Sequence, residues 1–386
     1  MPASANTSMP AAVASGQPGR VLVRGVNWLG DAVMTTPALQ RLRERLPGTH
    51  ITLLTPRKLA DLWLGHPSID EVMTLAAGQG VWSVAGQIRR AVPFDLALVL
   101  PNSPRSALEA WLGRVPQRVG YARPWRSWFL TRAIAPRPDR VVMRVRSVRE
   151  VRRLCGAQPQ PAAPPAAHQI HEYLHLAAAL GACPEPLSPM AQVAAAEVEE
   201  AGRAFLADLP RKTSGAAARP PVILGLNPGA EFGPAKRWPA QRFGAVAREV
   251  CRRLPSCVWL VFGGTEDWEL CQEIARAAPA NALDLAGRTS LRQLMGLLKL
   301  CRVLLTNDTG PMHLAAALGT PVVVPFGSTS AELTGPGLPG EPRQPHRLLS
   351  SRPGCAPCFR RACPIDFRCM TGLGVEAVTE AVLGVV

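Results

Sequence analysis

The sequence predicts an α/β protein with two Rossmann-like domains, each built on a parallel sheet, that face each other across a cleft. Short apolar runs alternate with helix-compatible stretches in both halves of the chain, which is typical of parallel sheets. The stretch Val303–Phe326 is a strand–turn–helix–strand unit of minimal length. Between the halves, Pro210–Pro221 has the Pro, Gly, Ser and Ala content of a linker.

The first half contains five predicted strands, at Arg20–Arg24, Ile51–Leu54, Glu71–Leu75, Leu96–Leu100 and Gln117–Tyr121. The predicted helices are Ala32–Leu46, Lys58–Leu64, Val81–Ala91, Ser106–Leu112, His168–Leu180 and Ala194–Leu209. Pro37 is expected to kink the first helix or delay its start, and Arg123–Arg153 is expected to be irregular. We therefore assign residues 19–209 to a first domain, and residues 1–18, rich in Ala, Ser and Pro, to a disordered tail.

The second half repeats the alternation after the linker, residues 210–221. Its predicted strands are Val222–Leu226, Val258–Phe262, Val303–Leu305 and Pro321–Val324. Its predicted helices are Ala240–Arg253, Asp267–Ala277, Ser290–Lys299 and Pro311–Leu318. Residues 222–386 form the second domain in this interpretation. Ligands are expected at the carboxyl ends of the strands, which face the cleft.

The composition narrows the possible partners. The formal net charge is +15, mostly from Arg, so nucleic acid, an anionic membrane surface or a phosphorylated substrate are candidate partners. Hydrophobic residues make up 47% of the chain, yet no apolar run approaches the length of a membrane span. The N-terminus lacks the basic and apolar regions of a signal peptide. We therefore expect a soluble cytoplasmic protein whose ten cysteines are mostly reduced.

Polar residues follow three predicted strands of the second half. Ala235–Pro239 carries Lys236 and Arg237, which can neutralise a phosphate, although loop cations are usually just solvated. Glu266 can accept hydrogen bonds from ribose hydroxyls or cap the next helix. The turn Thr306–Pro311 leads into a helix whose N-terminus suits an anion, but it is equally compatible with an ordinary loop. The three loops together suit a nucleoside diphosphate.

The first half offers Asp31, directly after Gly30 at the start of a predicted helix. A carboxylate there is often a helix cap, but if it faces the cleft it can act as a general base for a hydroxyl. No G-x-G-x-x-G directly follows a predicted strand and opens a predicted helix, and G-x-x-x-x-G-K-[ST] is absent, so neither a standard dinucleotide site nor a P-loop is predicted.

Four segments in register resemble one known family. GDAVMTTPALQRLR (Gly30–Arg43), NPGAEFGPAKRWP (Asn227–Pro239), FGGTED (Phe262–Asp267) and TNDTGPMHLAAALGTPVVVPFG (Thr306–Gly327) resemble glycosyltransferase family 9, the ADP-heptose:lipopolysaccharide heptosyltransferases. RGVNWLGDAVM and the cysteine-rich tail look most like the heptosyltransferase II group. The resemblance runs from about Val21 to the C-terminus.

The resemblance implies a GT-B fold, with an acceptor domain followed by a donor domain, and an inverting reaction without a cofactor or an obligatory metal. It implies Asp31 as the catalytic base and Lys236 as the donor-phosphate lysine. It places Glu266 where family members contact the nucleoside, although heptosyltransferase II sequences vary there. The donor loop it implies is Asp308, Thr309, Gly310 and His313. The chain has no obvious D-x-D metal motif, which agrees.

The implied donor is ADP-L-glycero-β-D-manno-heptose, and the implied acceptor is the heptose I of heptosyl-Kdo2-lipid A, the lipopolysaccharide inner core. Heptosyltransferases I and III, with another acceptor, are the nearest alternatives. Because that acceptor is lipid-anchored, the enzyme is expected at the inner face of the cytoplasmic membrane.

Residues 105–153 are rich in Arg, with aromatic residues interleaved, and we place acceptor or membrane contacts there, among them Arg118, Arg123 and Arg126. A solvated face or, more remotely, a nucleic-acid-binding surface are the alternatives, and no nucleic acid is expected as a partner.

The tail carries Cys355, Cys358, Cys363 and Cys369, a spacing that resembles a four-thiolate metal site. The second pair is too widely spaced for a standard zinc ribbon. Structural thiols are therefore favoured over zinc, and we assign no metal ligands.

Overall fold

The computed structural model describes residues 17–207, 221–278, 281–341 and 344–386, and in these residues it contains two parallel sheets of six strands each. This confirms the predicted pair of parallel-sheet units. The predicted tail (1–18) and the predicted linker (210–221) lie almost entirely outside the described residues.

The strands of the described residues follow the predicted alternation closely. They are β1 (Arg20–Arg24), β2 (His50–Pro56), β3 (Glu71–Leu75), β4 (Leu96–Val99), β5 (Gln117–Tyr121), β6 (Arg132–Ile134), β7 (Val222–Asn227), β8 (Cys257–Val261), β9 (Ala282–Asp284), β10 (Leu304–Thr306), β11 (Val322–Pro325) and β12 (Arg347–Leu349). The sequence analysis did not predict β6, β9 or β12. Each has three residues and lies at a sheet edge, too short for a periodic pattern.

The helices surround these strands. In the described residues they are α1 (Leu29–Arg45), α2 (Val81–Arg90), α3 (Pro104–Leu112), α4 (Val148–Leu154), α5 (Ile170–Ala178), α6 (Ala195–Leu206), α7 (Ala240–Arg253), α8 (Trp268–Ala277), α9 (Leu291–Leu300), α10 (Gly310–Ala317), α11 (Ala331–Thr334), α12 (Arg368–Thr371) and α13 (Val375–Leu383). The predicted helix at Lys58–Leu64 is a 3-10 helix, Arg57–Trp63.

Both sheets have the same strand order. The first runs β3-β2-β1-β4-β5-β6, and the second runs β12-β11-β10-β7-β8-β9. In each, the first strand of the unit (β1 or β7) lies at the centre. The next two strands are added on one side of it and the last three on the other side, as in a Rossmann fold. Because the strands are parallel, their carboxyl ends lie along one edge of each sheet, and the loops that follow β1, β7, β8 and β10 project from those edges.

Proline does not break α1. Pro37 has no N–H to donate to the carbonyl oxygen of Val33, but the Thr36 hydroxyl donates to that oxygen over 2.8 Å. The helix therefore runs continuously from Leu29 to Arg45, and the predicted later start is wrong. It packs against α5, as the sequence suggested, and against α10 of the second half.

Helix α6 packs on the second half of the chain. The sequence placed this helix in the first domain, residues 19–209, but it packs on α9 of the second half. Ala201 lies against Gly296, where an added Cβ would come within 2.9 Å of the Ala201 Cβ. Arg292 forms an ion pair with Glu197. Since amphipathicity shows which face is buried but not which partner buries it, the sequence could not decide this.

Residues Arg123–Arg153 also differ from the irregular segment that was predicted. They contain a 3-10 turn at Ser127–Phe129, the edge strand β6 and helix α4. Ser147 and Glu150 form a reciprocal capping box at the start of α4. Val151 of this helix then packs with Cys355 and Cys358 of the C-terminal tail.

Candidate active site

The two halves meet at the N-terminal ends of α1 and α10. A Cβ added to Gly30 would lie 2.7 Å from His313 Cδ2, and one added to Gly310 would lie 2.9 Å from Leu29 Cβ. Each glycine therefore allows a side chain of the opposite helix to approach its backbone at van der Waals distance. This contact brings the first turns of both helices, and the residues predicted to be functional in them, to one opening.

A cavity of about 460 Å³ lies at this junction. From the first half it is lined by Trp28, Leu29, Gly30, Asp31, Met34, Met143 and Val145. From the second half it is lined by Glu231, Phe232, Lys236, Asp308, Thr309, Gly310, Pro311, His313, Thr329, Thr334, Phe359 and Arg361. The structure thus brings together Asp31, Lys236, Asp308, Thr309, Gly310 and His313.

Asp31 lies in the first turn of α1 and faces this cavity. Its Oδ1 accepts a hydrogen bond of 3.0 Å from Gln169 Nε2, which also donates to the Tyr173 hydroxyl over 2.9 Å. Gln169 immediately precedes α5, and its backbone N–H donates to the Leu333 carbonyl of the second half over 2.9 Å. The orientation of Asp31 is therefore fixed by a residue that contacts both halves.

Burial raises the pKa of Asp31 above the ordinary aspartate value, while the Gln169 hydrogen bond and the positive charge of Lys236 act in the opposite direction. Lys236 belongs to the second half, so the two halves contribute opposite charges to one cavity. A carboxylate with a raised pKa is a better proton acceptor than an exposed one.

Lys236 forms an ion pair with Asp308, with 2.6 Å between Nζ and Oδ2. The Thr329 hydroxyl donates to the same Asp308 oxygen over 2.5 Å, and the Lys236 ammonium lies 5.0 Å from the centre of the Phe232 ring. Asp308 is almost completely buried, so its carboxylate holds the lysine in place at the cavity wall.

Helix α10 begins at Gly310, after Thr309. Among the described residues, no side chain caps this N-terminus, so its positive end is available to an anion in the cavity. His313, one turn later, is buried, and this burial lowers its pKa to about 4. The imidazole is therefore neutral at neutral pH and packs against Gly30.

The sequence analysis did not find Gln169, Phe232 or Arg361. The Arg361 guanidinium lies 5.4 Å from the centre of the Phe232 ring, and both residues line the cavity. Its carbonyl accepts a hydrogen bond of 2.9 Å from Ala235 N, so the cysteine-rich tail is joined to the loop that carries Lys236. Phe232 lies within the segment Asn227–Pro239 that carries the family resemblance, but it was not singled out. No local motif marks the other two, because Gln169 is 138 residues from Asp31 in sequence and Arg361 lies in a segment that was analysed only for its cysteines.

Glu266 and Arg237, which the sequence analysis considered for donor binding, lie outside the cavity. Glu266 follows β8, but its carboxylate folds back over Gly264 and near the Thr265 hydroxyl, and it does not line the cavity. The Arg237 guanidinium lies 3.5 Å from Asp267 and 3.4 Å from the Ala230 carbonyl oxygen. Arg237, which the sequence analysis offered with Lys236 as a possible phosphate partner, therefore does not line the cavity.

The three arginines predicted to contact the acceptor do not line the cavity. Arg126 is fully buried, and its guanidinium donates to the carbonyl oxygens of Val99 (3.0 Å) and Pro101 (2.8 Å). Its assignment to the acceptor is therefore corrected, because the guanidinium is used to hold backbone inside the first half. Arg118 donates to the Phe129 carbonyl over 2.7 Å, and Arg123 is half-buried.

The tail cysteines pack in two places: Cys355 and Cys358 against Val151 of α4, and Cys369 in the core of the second half. Cys355, Cys358 and Cys369 are buried, and burial raises the pKa of each thiol. In the part of the chain that the structure describes, no group of three or more His, Cys, Asp or Glu side chains is arranged to hold a metal ion. The tail contributes to the site through Arg361 and Phe359, which line the cavity.

Comparisons with known proteins agree with this site. Residues 81–367 match the model of glycosyltransferase family 9 (heptosyltransferase). Lipopolysaccharide heptosyltransferase 2 of Escherichia coli K12 is 31% identical over 333 residues, covering 82% of this chain and 85% of that protein. The enzyme of the same name from Salmonella typhimurium is 30% identical over the same shares.

Solved structures show the same architecture. The structure of E. coli ADP-heptose lps heptosyltransferase II superposes with a TM-score of 0.71 at 25% identity, covering 95% of this chain and 98% of that one. A family 9 glycosyltransferase from Veillonella parvula superposes with a TM-score of 0.74 at 21% identity, which bears on the fold alone. The predicted GT-B fold is thereby confirmed, and the chain belongs to glycosyltransferase family 9, the heptosyltransferases.

Proposed function

We propose that this enzyme transfers L-glycero-D-manno-heptose from ADP-heptose to heptose I of the lipopolysaccharide inner core, with inversion at the anomeric carbon. One observation carries the proposal. Asp31 of the first half and Lys236 of the second half line the same cavity, close enough for the lysine charge to lower the pKa of the carboxyl group. The names of the relatives support this choice of donor and acceptor.

The donor side of the cavity is suited to a diphosphate. Lys236, the N-terminus of α10 and Arg361 supply positive charge from three segments of the second half. Asp308 cancels part of that charge, and its role is to hold the Lys236 ammonium in position. As the bond from the sugar to ADP breaks, negative charge accumulates on the diphosphate, and donors fixed in advance stabilise it more than mobile water would.

On the acceptor side, Asp31 accepts the proton of the attacking sugar hydroxyl. The hydroxyl oxygen forms a bond to the anomeric carbon on the face opposite ADP, and the bond from that carbon to the diphosphate oxygen breaks with its electron pair. The transition state is oxocarbenium-like, as in glycoside chemistry generally. Gln169 orients the carboxylate through Oδ1 and thus directs its other oxygen towards the acceptor.

This mechanism divides the chain into an acceptor-binding first half and a donor-binding second half.

Among the described residues, no helix is both long enough and apolar enough to span a bilayer. A lipid-anchored acceptor nevertheless requires the enzyme to act at the membrane surface. We place this action on the cytoplasmic face of the inner membrane.

The test is transfer from ADP-heptose to purified heptosyl-Kdo2-lipid A, with the linkage and anomeric configuration of the product determined. The matched acceptor is Kdo2-lipid A, which lacks heptose I. The proposal expects one heptose to be added to the first acceptor with inverted configuration and none to the second. Transfer to Kdo2-lipid A alone would assign heptosyltransferase I activity, and retention of configuration would exclude Asp31 as a simple base.

A further inference from the structure

An exposed aromatic surface lies on the outer side of α3. Trp125 and Trp128 are 70% and 74% exposed, and Trp111 is 47% exposed. Large side chains with this exposure in one place are unusual unless they bind something. We propose that this surface, formed by Trp111, Trp125, Trp128 and Phe129 with Arg114 and Arg123, docks the enzyme onto an anionic phospholipid bilayer. The inference extends the proposed function, whose acceptor is lipid-anchored.

The aromatic rings form two contacting pairs that are adjacent along the chain. The rings of Trp125 and Trp128 are 5.3 Å apart in an edge-to-face arrangement, and those of Trp111 and Phe129 are 5.7 Å apart. Trp128 and Phe129 are neighbours in the 3-10 turn Ser127–Phe129, which joins the two pairs. We call these four residues the aromatic face.

The aromatic face is separate from the active site. The turn Ser127–Phe129 packs on α3, whereas the opposite side of the sheet is covered by α1 and α5. The cavity between the halves is lined by other residues. The enzyme could therefore rest on a surface through this face while its cavity remains open.

The charge around the aromatic face is one-sided. Residues 103–132 contain six arginines: Arg105, Arg114, Arg118, Arg123, Arg126 and Arg132. Their one acidic residue, Glu109, is buried and accepts hydrogen bonds from Arg24 and Arg105, each over 2.9 Å. No exposed carboxylate of this segment, which is wholly described, opposes the arginines. Arg126 is fully buried, and Arg118 and Arg132 donate to backbone carbonyls, so the exposed positive charge comes from Arg105, Arg114 and the half-buried Arg123. Positive charge of this kind suits anionic lipid headgroups.

Two arginines that donate to backbone carbonyls hold the segment of the aromatic face in place. Arg126 is fully buried between the two exposed tryptophans, where it anchors the segment to Val99 and Pro101. Arg118, in β5, donates a hydrogen bond to the Phe129 carbonyl oxygen. Trp125 has a left-handed backbone with φ of 60°, which is costly for a bulky residue and is maintained only when its surroundings require it. The tryptophans are therefore preorganised to face outwards.

Tryptophan flanked by Arg is the composition that favours the interface of a bilayer, because the indole ring has an apolar body and a polar N–H. Nucleic acid is the other polyanion that stacks on aromatic rings. The experiment below distinguishes the two, and binding to nucleic acid in place of lipid counts against the proposal.

The test is co-sedimentation of the full chain with vesicles of phosphatidylethanolamine and phosphatidylglycerol, against vesicles of neutral phosphatidylcholine. The Trp125→Ser, Trp128→Ser double variant should bind the anionic vesicles roughly tenfold to a hundredfold more weakly, because two indole rings are no longer transferred from water into the bilayer interface. Arg114→Gln should weaken binding about fivefold, the worth of one cation near such a surface. Trp268→Ala, which removes a tryptophan that is 50% exposed in the second half, is the matched control and should bind as wild type does.

A second measurement uses brominated lipids, which quench tryptophan that enters the bilayer. Quenching should be lost in the double variant and kept in Trp268→Ala, and melting curves should show that both variants fold. Wild-type vesicle binding that the double variant retains would overturn the proposal. So would retardation of a duplex oligonucleotide by the wild type in the absence of vesicle binding.

A soluble acceptor separates this inference from the proposed function. With heptosyl-Kdo2 that lacks lipid A, the double variant should transfer heptose at the wild-type rate. If the wild type transfers to this acceptor but does not bind vesicles, the docking inference alone fails. If it binds vesicles through the aromatic face but transfers to no acceptor, the proposed function alone fails.

Discussion

Lys236 Nζ lies 2.6 Å from Asp308 Oδ2, and the side chain of Asp308 is 2% exposed. The lysine is therefore held at the cavity wall by a buried carboxylate whose same oxygen also accepts a hydrogen bond from Thr329. The pairing links catalysis and stability, because removal of the lysine leaves a buried charge without its partner.

Lys236→Met should lower kcat and raise the KM for ADP-heptose, since the contact with the diphosphate strengthens as charge accumulates. The expected loss is about 2–4 kcal/mol of transition-state stabilisation, by analogy with removal of one oxyanion donor. Steady-state kinetics provide the measurement. Arg237→Met is the matched control, and it should matter less because Arg237 pairs with Asp267 outside the cavity.

The same variant should lose up to about 3 kcal/mol of stability, because Asp308 is left buried and unpaired. Adding Asp308→Asn should restore much of the melting temperature but none of the activity. Recovery of activity in the double variant would show that Lys236 acts on folding alone.

Asp31→Asn should reduce turnover by about two to four orders of magnitude, the usual contribution of a general base. The affinity for ADP, measured by calorimetry, should change little, because Asp31 belongs to the opposite half of the cavity from the phosphate groups. Asp139→Asn changes an exposed aspartate and is the control. Near-wild-type turnover of Asp31→Asn would remove it from the mechanism.

The pH profile of kcat/KM should have an acid limb set by Asp31, above the ordinary range of an aspartate because burial raises its pKa. The Gln169 hydrogen bond stabilises the ionised carboxylate and so lowers that pKa. Gln169→Leu should therefore raise it further and shift the acid limb to higher pH. A limb that stays in place, with only the maximal rate reduced, would mean that Gln169 orients Asp31 without affecting its ionisation.

Gly30→Ala should destabilise the junction of the two halves by roughly 1–3 kcal/mol, because the new Cβ would lie 2.7 Å from the buried His313 ring. Since Asp31 is the next residue, kcat should fall as well. Gly48→Ala places its Cβ in open space and is the control for the substitution itself. Equal melting temperatures and equal rates for the two variants would contradict the close approach of α1 and α10.

Chelation of divalent metal with EDTA should leave heptose transfer largely intact. Lys236, the N-terminus of α10 and Arg361 already supply the positive charge that the leaving diphosphate needs. The assay compares initial rates before and after chelation. Loss of activity that Mg²⁺ restores would show that these groups do not suffice.

Much of the fold was predictable from local pattern. The strand Arg20–Arg24 and the helix Ala240–Arg253 have the predicted bounds, because a buried apolar run or an amphipathic stripe specifies them without reference to the rest of the chain. The donor loop was equally predictable, since Asp308, Thr309, Gly310 and His313 lie within one short segment. The family motifs likewise marked Asp31 and Lys236.

Contacts between distant segments could be decided only by the tertiary structure. It assigned α6 to the second half, turned Arg126 from a surface cation into a buried anchor, left Glu266 outside the cavity, and added Gln169 and Arg361 to the site. The composition of an Arg-rich stretch does not show whether its guanidinium groups are solvated or donate hydrogen bonds to backbone carbonyls. The amino-acid sequence by itself therefore determined the α/β units and the polar groups of the turn Thr306–Pro311. The burial and distances that make those groups one site were decided by the packing of its two halves.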